Sequence, residues 1–238
     1  KEHGDDIAAV IIEPIAGNMG FIEPDINFLK ELRNLCTRNE TILIFDEVMT
    51  GFRVARGGVQ ELLGITPDLT ALGKIVGGGL PVGVYGGKAE IMNNISPDGP
   101  VYQAGTLSGN PIAVSAGSAL LKQLANKEIY SSMEENAKKF LNPIKEFANE
   151  INIPFSFNVR GGMFGFFFSN SLPQNFDDVQ KTDIELFSKF FRKMLERNIY
   201  LPPSAYESCF ISTLHDEDKM IKAAKLAKES LKEIKDEI

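Results

Sequence analysis

The apolar run Thr41-Ile-Leu-Ile-Phe45 ends directly on two acids, Asp46-Glu47, and this junction narrows the possible folds more than any other stretch of the chain. A run without polar alternation reads as a strand buried on both faces, the kind found in parallel sheets packed between helices. A similar run, Ile7-Ala-Ala-Val-Ile-Ile12, lies upstream. Between them come a turn-rich segment, Glu13 to Gly20, and a helix that Asp25 is placed to cap. That helix carries Phe28, Leu29, Leu32 and Leu35 at helical spacing. Strand, helix, strand in this order implies an α/β fold with a mainly parallel sheet.

Two further short strands are expected at Leu69 to Leu72 and Val82 to Tyr85, separated by Gly77-Gly-Gly79. Asn110-Pro111 opens a helix to about Ala125, rich in Ala, Ser and Gly and therefore able to pack closely. After that the texture changes. Ile129 to Glu150 and Thr182 to Arg197 read as amphipathic helices, and Phe155 to Phe157 and Met163 to Phe168 as antiparallel strands. Cys209 to Thr213 reads as a last strand, and Asp216 as the cap of a terminal helix. The expected division is a large domain over residues 1–125 and a smaller α+β domain over 126–238.

The charge balance excludes some functions. With 25 Lys+Arg against 32 Asp+Glu, the formal charge is −7, and no basic stripe marks a nucleic-acid surface. No apolar run approaches bilayer length. Two cysteines, Cys36 and Cys209, give no disulfide framework, so a reduced, cytoplasmic setting is expected. The chain starts without an initiator Met and runs almost at once into a strand, as expected if upstream sequence is missing.

Ligands of parallel sheets bind beyond the carboxyl ends of the strands, so Asp46 and Glu47 are well placed for function, although a helix cap or solvated turn would also use such acids. Lys74 follows the strand Leu69 to Leu72 in the same way. A lysine in apolar surroundings gives up its proton more readily, as imine formation with an aldehyde requires. A carboxylate beside a pyridine nitrogen keeps that nitrogen protonated, which helps the ring draw electrons from a developing carbanion. Lys88 is the rival amine, but Gly86-Gly87-Lys88-Ala89 reads as a helix start with a solvent-facing charge. His3 and His215 read as structural, Cys209 as a small core residue, and Phe164 to Phe168 as core strand. Gly77 to Gly79 lacks the Gly-Lys-Ser/Thr ending of a nucleotide loop, and no metal-ligand cluster is visible.

Three segments together carry a resemblance: Phe45-Asp-Glu-Val-Met-Thr-Gly-Phe-Arg53, Asp68 to Gly83 around Lys74, and Gly105-Thr-Leu-Ser-Gly-Asn-Pro111. They resemble the class III aminotransferases, a group of fold-type I pyridoxal-phosphate enzymes. Glu13-Pro-Ile-Ala-Gly-Asn-Met-Gly20 and Pro203-Ser-Ala-Tyr-Glu207 are similar to an aminomutase branch of that group, isomerases that move an amino group within one substrate. The resemblance implies pyridoxal 5′-phosphate as cofactor, passing through its pyridoxamine 5′-phosphate form. It assigns Lys74 as the amine that bonds the cofactor and moves protons, Asp46 as the partner of the ring nitrogen, and Val48 as packing against the ring. It also places Gly105 and Thr106 at the cofactor phosphate of a neighbouring subunit, so a homodimer with shared sites is implied. Glu207 and Asn18 are assigned to the substrate region; Glu207 stands where related aminotransferases carry an arginine for a carboxylate. The phosphate cup and ring-stacking aromatic of the family have no counterpart in this sequence. Two alternatives stay open: an aminotransferase acting on an ω-amino acid or diamine, and a truncated, non-catalytic piece.

Overall fold

The structure is a computed structural model that describes residues 3–237. Its contacts divide the chain into two compact units, one formed by the chain through Pro14 and Pro24–Lys127, the other by Ile15–Glu23 and Glu128–Ile238. A single cut near residue 125 makes no provision for the short excursion at Ile15–Glu23.

The first unit contains β1 (Ala9–Ile12), α1 (Ile26–Arg38), β2 (Ile42–Glu47), α2 (Gly58–Leu63), β3 (Leu69–Leu72), β4 (Val84–Gly87), α3 (Ala89–Met92) and α4 (Pro111–Gln123). The sheet order is β1-β2-β3-β4. The first three strands run parallel, with Ile12 level with Phe45 and Glu47 level with Leu72. β4 is antiparallel to β3, with Ala71 opposite Tyr85. The connection between β3 and β4, residues 73–83, is shorter than the dozen or so residues that a parallel crossover usually takes.

One face of this sheet is packed. Leu43 and Phe45 are fully buried and join Leu29, Cys36 and Ile65, with Val10, Ile12, Leu32 and Leu63 around them. Each fully buried Leu or Phe contributes about 1.5–3 kcal/mol. Among the described residues the opposite face is only partly buried or exposed, which corrects the expectation of strands buried on both sides. Burial alternates along β2, and Ile11 of β1 is 64% exposed. The helix stripe also differs from the expected one. Leu29 and Cys36 face inward, whereas Phe28 and Leu35, about 100° away around the helix, are exposed. Asp25 does cap α1, its Oδ1 accepting the Asn27 N–H at 2.8 Å.

The second unit contains α5 (Glu128–Glu150), β5 (Ser156–Arg160), β6 (Met163–Phe167), α6 (Phe176–Gln180), α7 (Ile184–Glu196), β7 (Cys209–Phe210) and α8 (Glu217–Asp236). Its three strands form an antiparallel sheet in the order β5-β6-β7. Phe164, Phe166, Phe167 and Phe168 are all buried, and Phe166 stacks on Phe187 with centroids 5.6 Å apart. The aromatic run is core, as its sequence suggests. α5 and α8 pack against each other through residues such as Phe140, Leu141, Leu231 and Ile234, all essentially inaccessible.

Candidate active site at the carboxyl end of the first sheet

Asp46 is the penultimate residue of β2, and Lys74 follows β3 by two residues. Because β2 and β3 are parallel neighbours in register, both side chains originate at the same end of the sheet. Adjacent strands are about 4.8 Å apart, which places the acid and the amine around one small region. Val48 joins them: its Cγ1 lies 3.0 Å from where a Cβ on Gly73 would sit. The residue two positions after the acid therefore packs on the residue just before the amine.

Asp46 is half-buried, and its Oδ1 accepts the backbone N–H of Val48 at 3.0 Å. Among the described residues neither Asp46 nor Lys74 has an ion-pair partner. Lys74 is exposed, so the apolar surroundings expected for it are absent from this unit. Its backbone is unusual, with φ at +48°, a left-handed conformation that side-chain-bearing residues adopt at a cost of about 1–2 kcal/mol. The turn is held from behind by α4. A Cβ on Gly117 would lie 2.2 Å from the Val76 carbonyl oxygen, and one on Gly78 would lie 2.5 Å from that of Ala116. The small residues of this helix thus allow it to touch the Lys74–Gly77 turn directly. Asn110 caps the helix, its Oδ1 accepting N–H groups of Ile112 and Ala113 at 3.0 and 3.2 Å.

Lys88, the rival amine, is engaged elsewhere. Its Nζ lies 2.7 Å from Asp68 Oδ1, and Asp68 precedes β3, at the opposite end of the strands. Gly105 and Thr106 sit in the exposed segment before α4, where Ser108 N–H donates to the Gly105 carbonyl at 2.9 Å. Asn18 and Glu207 belong to the second unit and are both exposed. Their segments meet there: Gly20 N–H donates to Tyr206 O at 2.7 Å, and Ser208 Oγ lies 3.0 and 2.8 Å from the carbonyl oxygens of Gly17 and Gly20. His215 serves structure, its Nδ1 accepting the Ser212 N–H at 3.0 Å. Burial pushes the thiols of Cys36 and Cys209 up from their ordinary range, as suits inert core residues. No group of three metal-binding side chains occurs among the described residues, and no helix there is long and apolar enough to cross a membrane.

Glu47 was singled out in the sequence only together with Asp46, and the structure separates the two. Glu47 is fully buried on the opposite face of β2 and accepts four hydrogen bonds, from Thr50 Oγ1, Val59 N–H, Gln60 N–H and Gln60 Nε2. Leaving such a buried donor without a partner costs about 1–3 kcal/mol. The sequence held one signal of this: Leu43, Phe45 and Glu47 alternate onto a single face of the strand.

An amine and an acid at adjacent strand ends, joined by a small apolar contact, suit an aromatic aldehyde cofactor with a basic ring nitrogen. The comparisons with known proteins agree. The chain matches the aminotransferase class-III family over residues 1–217. A relative from Polynucleobacter asymbioticus, named glutamate-1-semialdehyde 2,1-aminomutase, is 51% identical over 217 residues, 91% of this chain and 50% of that protein. One of the same name from Aquifex aeolicus is 47% identical over 234 residues, 98% and 55% of the two chains. Among solved structures, an omega-transaminase from Sphaerobacter thermophilus superposes with a TM-score of 0.88 at 28% identity, over 97% of this chain and 53% of that one. A glutamate-1-semialdehyde aminomutase from Pseudomonas aeruginosa shares the fold, with a TM-score of 0.84 at 24% identity over 98% and 53% of the chains. The chain spans about half the length of the curated relatives it matches.

Proposed function

Because this chain belongs to the class-III aminotransferase family, we propose that it forms part of a pyridoxal-phosphate aminomutase that converts glutamate-1-semialdehyde to 5-aminolevulinate. The observation that carries the reading is the pairing of Lys74 and Asp46 at adjacent strand ends, within a chain 47–51% identical to relatives bearing that enzyme's name.

Bound pyridoxal phosphate supplies an electron sink for the pair left behind when a substrate carbon loses its proton. The chain's own residues do the rest. Lys74 would hold the cofactor through its Nζ and would carry a proton between carbon atoms at the site. Asp46 would pair with the ring nitrogen and favour its protonated form; its Oδ1 accepts the Val48 N–H, which orients the carboxylate. Val48 offers an apolar side chain to the ring. Glu207 and Asn18 are assigned to the substrate region, where a glutamate, unlike an arginine, cannot clamp a carboxylate.

Gly105 and Thr106 serve the phosphate of a second copy's cofactor in this reading. Their surroundings support a partner, because Tyr102, Leu107 and Ile112 are 70–81% exposed in one short segment. The proposed assembly is a cytoplasmic homodimer.

The first test adds pyridoxal phosphate to the chain and follows absorbance near the visible edge, then reduces the mixture with borohydride and maps the adduct. The expected adduct is on Lys74. No band, or an adduct on another lysine, would overturn the assignment. A second test supplies glutamate-1-semialdehyde without any amino acceptor. Turnover supports a mutase, whereas turnover only with an added acceptor supports an ω-amino-acid transaminase.

A further inference from the structure

Asp46, Glu47 and Val48 are consecutive, but their side chains do not share one environment. Glu47 is fully buried, whereas Asp46 and Val48 are only half-buried. Its Oε2 accepts Thr50 Oγ1 at 2.9 Å and Val59 N–H at 2.7 Å; its Oε1 accepts Gln60 N–H at 3.2 Å and Gln60 Nε2 at 3.1 Å. Its backbone carbonyl accepts Gly51 N–H at 2.9 Å. Residue 47 is therefore held at both carboxylate oxygens and at its carbonyl. The peptide that follows it carries the Val48 N–H, which donates to Asp46 Oδ1.

We propose that Glu47 is a positioning residue for the acid that faces the ring nitrogen: it fixes the 47–48 peptide, and that peptide's N–H aims the Asp46 carboxylate. The inference rests on the functional reading above and adds to it a residue outside the cofactor's reach. Apolar packing would hold a loop more cheaply than a buried carboxylate, which is expensive to desolvate. A carboxylate adds direction, because donors from three residues converge on two oxygens. The loop is shaped to it as well. Gly58 adopts φ of +69°, and a Cβ there would lie 2.2 Å from Glu47 Oε2.

Glu47→Gln replaces an accepting oxygen by an amide NH2, so at least one of the backbone N–H groups of Val59 and Gln60 loses its acceptor. Gln60→Met removes one side-chain donor at similar volume. Both variants, wild type and Lys74→Ala would be titrated as the full chain with pyridoxal phosphate, recording affinity, the pH at which the visible band half-converts, and the melting temperature. The expected result for Glu47→Gln is cofactor binding about tenfold weaker, with the half-conversion pH raised by roughly half a unit. The rise follows because the lysine–cofactor nitrogen keeps its proton to higher pH beside a less positive ring. Gln60→Met should shift both quantities in the same direction by less, and it carries the test alone if Glu47→Gln does not fold. A folded variant with a lowered melting temperature but wild-type affinity and half-conversion pH would overturn the proposal, leaving Glu47 a loop staple. No band in wild type, or a band kept by Lys74→Ala, would overturn the functional reading, and this inference with it.

Discussion

Asp68 and Asp46 lie toward opposite ends of one four-stranded sheet, and the fold treats their charges differently. Asp68 is buried, with Oδ2 accepting Arg33 Nη1 and Leu43 N–H, both at 2.7 Å, and Oδ1 at 2.7 Å from Lys88 Nζ. Asp46 takes one hydrogen bond from its own turn, and Lys74 beside it has no ion-pair partner among the described residues. Similar residues are thus tied into ion pairs at one end and, among the described residues, left without an ion-pair partner at the other. The contrast separates the two lysines by their partners, where spacing alone had to weigh one against the other.

The sharpest break of this contrast would come from exchanging the lysines' roles. Lys74→Ala should abolish the borohydride-trapped pyridoxal-phosphate adduct completely, while Lys88→Ala should leave it at the wild-type level. Mass spectrometry of the reduced chain reads both. An adduct that survives Lys74→Ala and disappears with Lys88→Ala would reverse the assignment of the two ends.

Stability should show the opposite pattern. Asp68→Ala strands Arg33, whose side chain is 19% exposed, and leaves the Leu43 N–H without its acceptor. The expected loss is about 3 kcal/mol in urea unfolding. Lys88→Met should cost less than about 1 kcal/mol, because the Lys88 side chain is 53% exposed and water screens it. Asp46→Asn should change stability by no more than roughly 0.5 kcal/mol. If Asp46→Asn proved as costly as Asp68→Ala, the carboxyl end would be structural too.

Acid sharpens the same comparison. Burial alone would raise the Asp68 pKa, but Lys88, the Leu43 N–H and Arg33 outweigh it and hold the carboxyl below its ordinary value. A depressed folded value means a contribution that is complete above the unfolded pKa of about 3.9 and disappears as pH falls through the folded value. Stability against urea should therefore hold from neutral pH to about pH 5 and decline below about pH 4. Asp68→Asn should flatten that decline. An unchanged acid profile in Asp68→Asn would show that other carboxylates, such as Glu134 with its depressed pKa, govern acid unfolding instead.

What could be read in the chain beforehand was mostly local. Caps are local, and Asp25, Asn110 and Asp216 each accept the N–H groups expected of them. The small-residue composition of α4 correctly signalled close packing, although not that the Lys74 turn was its neighbour. Register and partners were not legible. Nothing near Asp68 in sequence announces Arg33, thirty-five positions away, as its cation. The packing of Ile15–Glu23 in the second unit depends on contacts with Tyr206 and Ser208, far along the chain. One-sided burial of β1 and β2 was missed for a related reason: an apolar run permits burial on both faces but does not supply the second covering layer.

A last expected effect, opposite in sign, tests whether the carboxyl end also stores strain. Lys74 holds a left-handed φ of +48°, and α4 clamps the turn through Gly78 and Gly117, so the conformation persists although the side chain disfavours it. Lys74→Gly removes the Cβ and relieves that strain, while adding freedom to the unfolded chain that offsets part of the gain. The net should be stabilisation of roughly 0.5–1 kcal/mol, seen as a small rise in melting temperature. Lys74→Ala keeps the Cβ and should gain nothing, so the difference between the two variants isolates the backbone term from the lost charge. Were glycine no more stable than alanine at this position, the turn would be relaxed in the native chain, and the contrast between the two ends of the sheet would rest on charge alone.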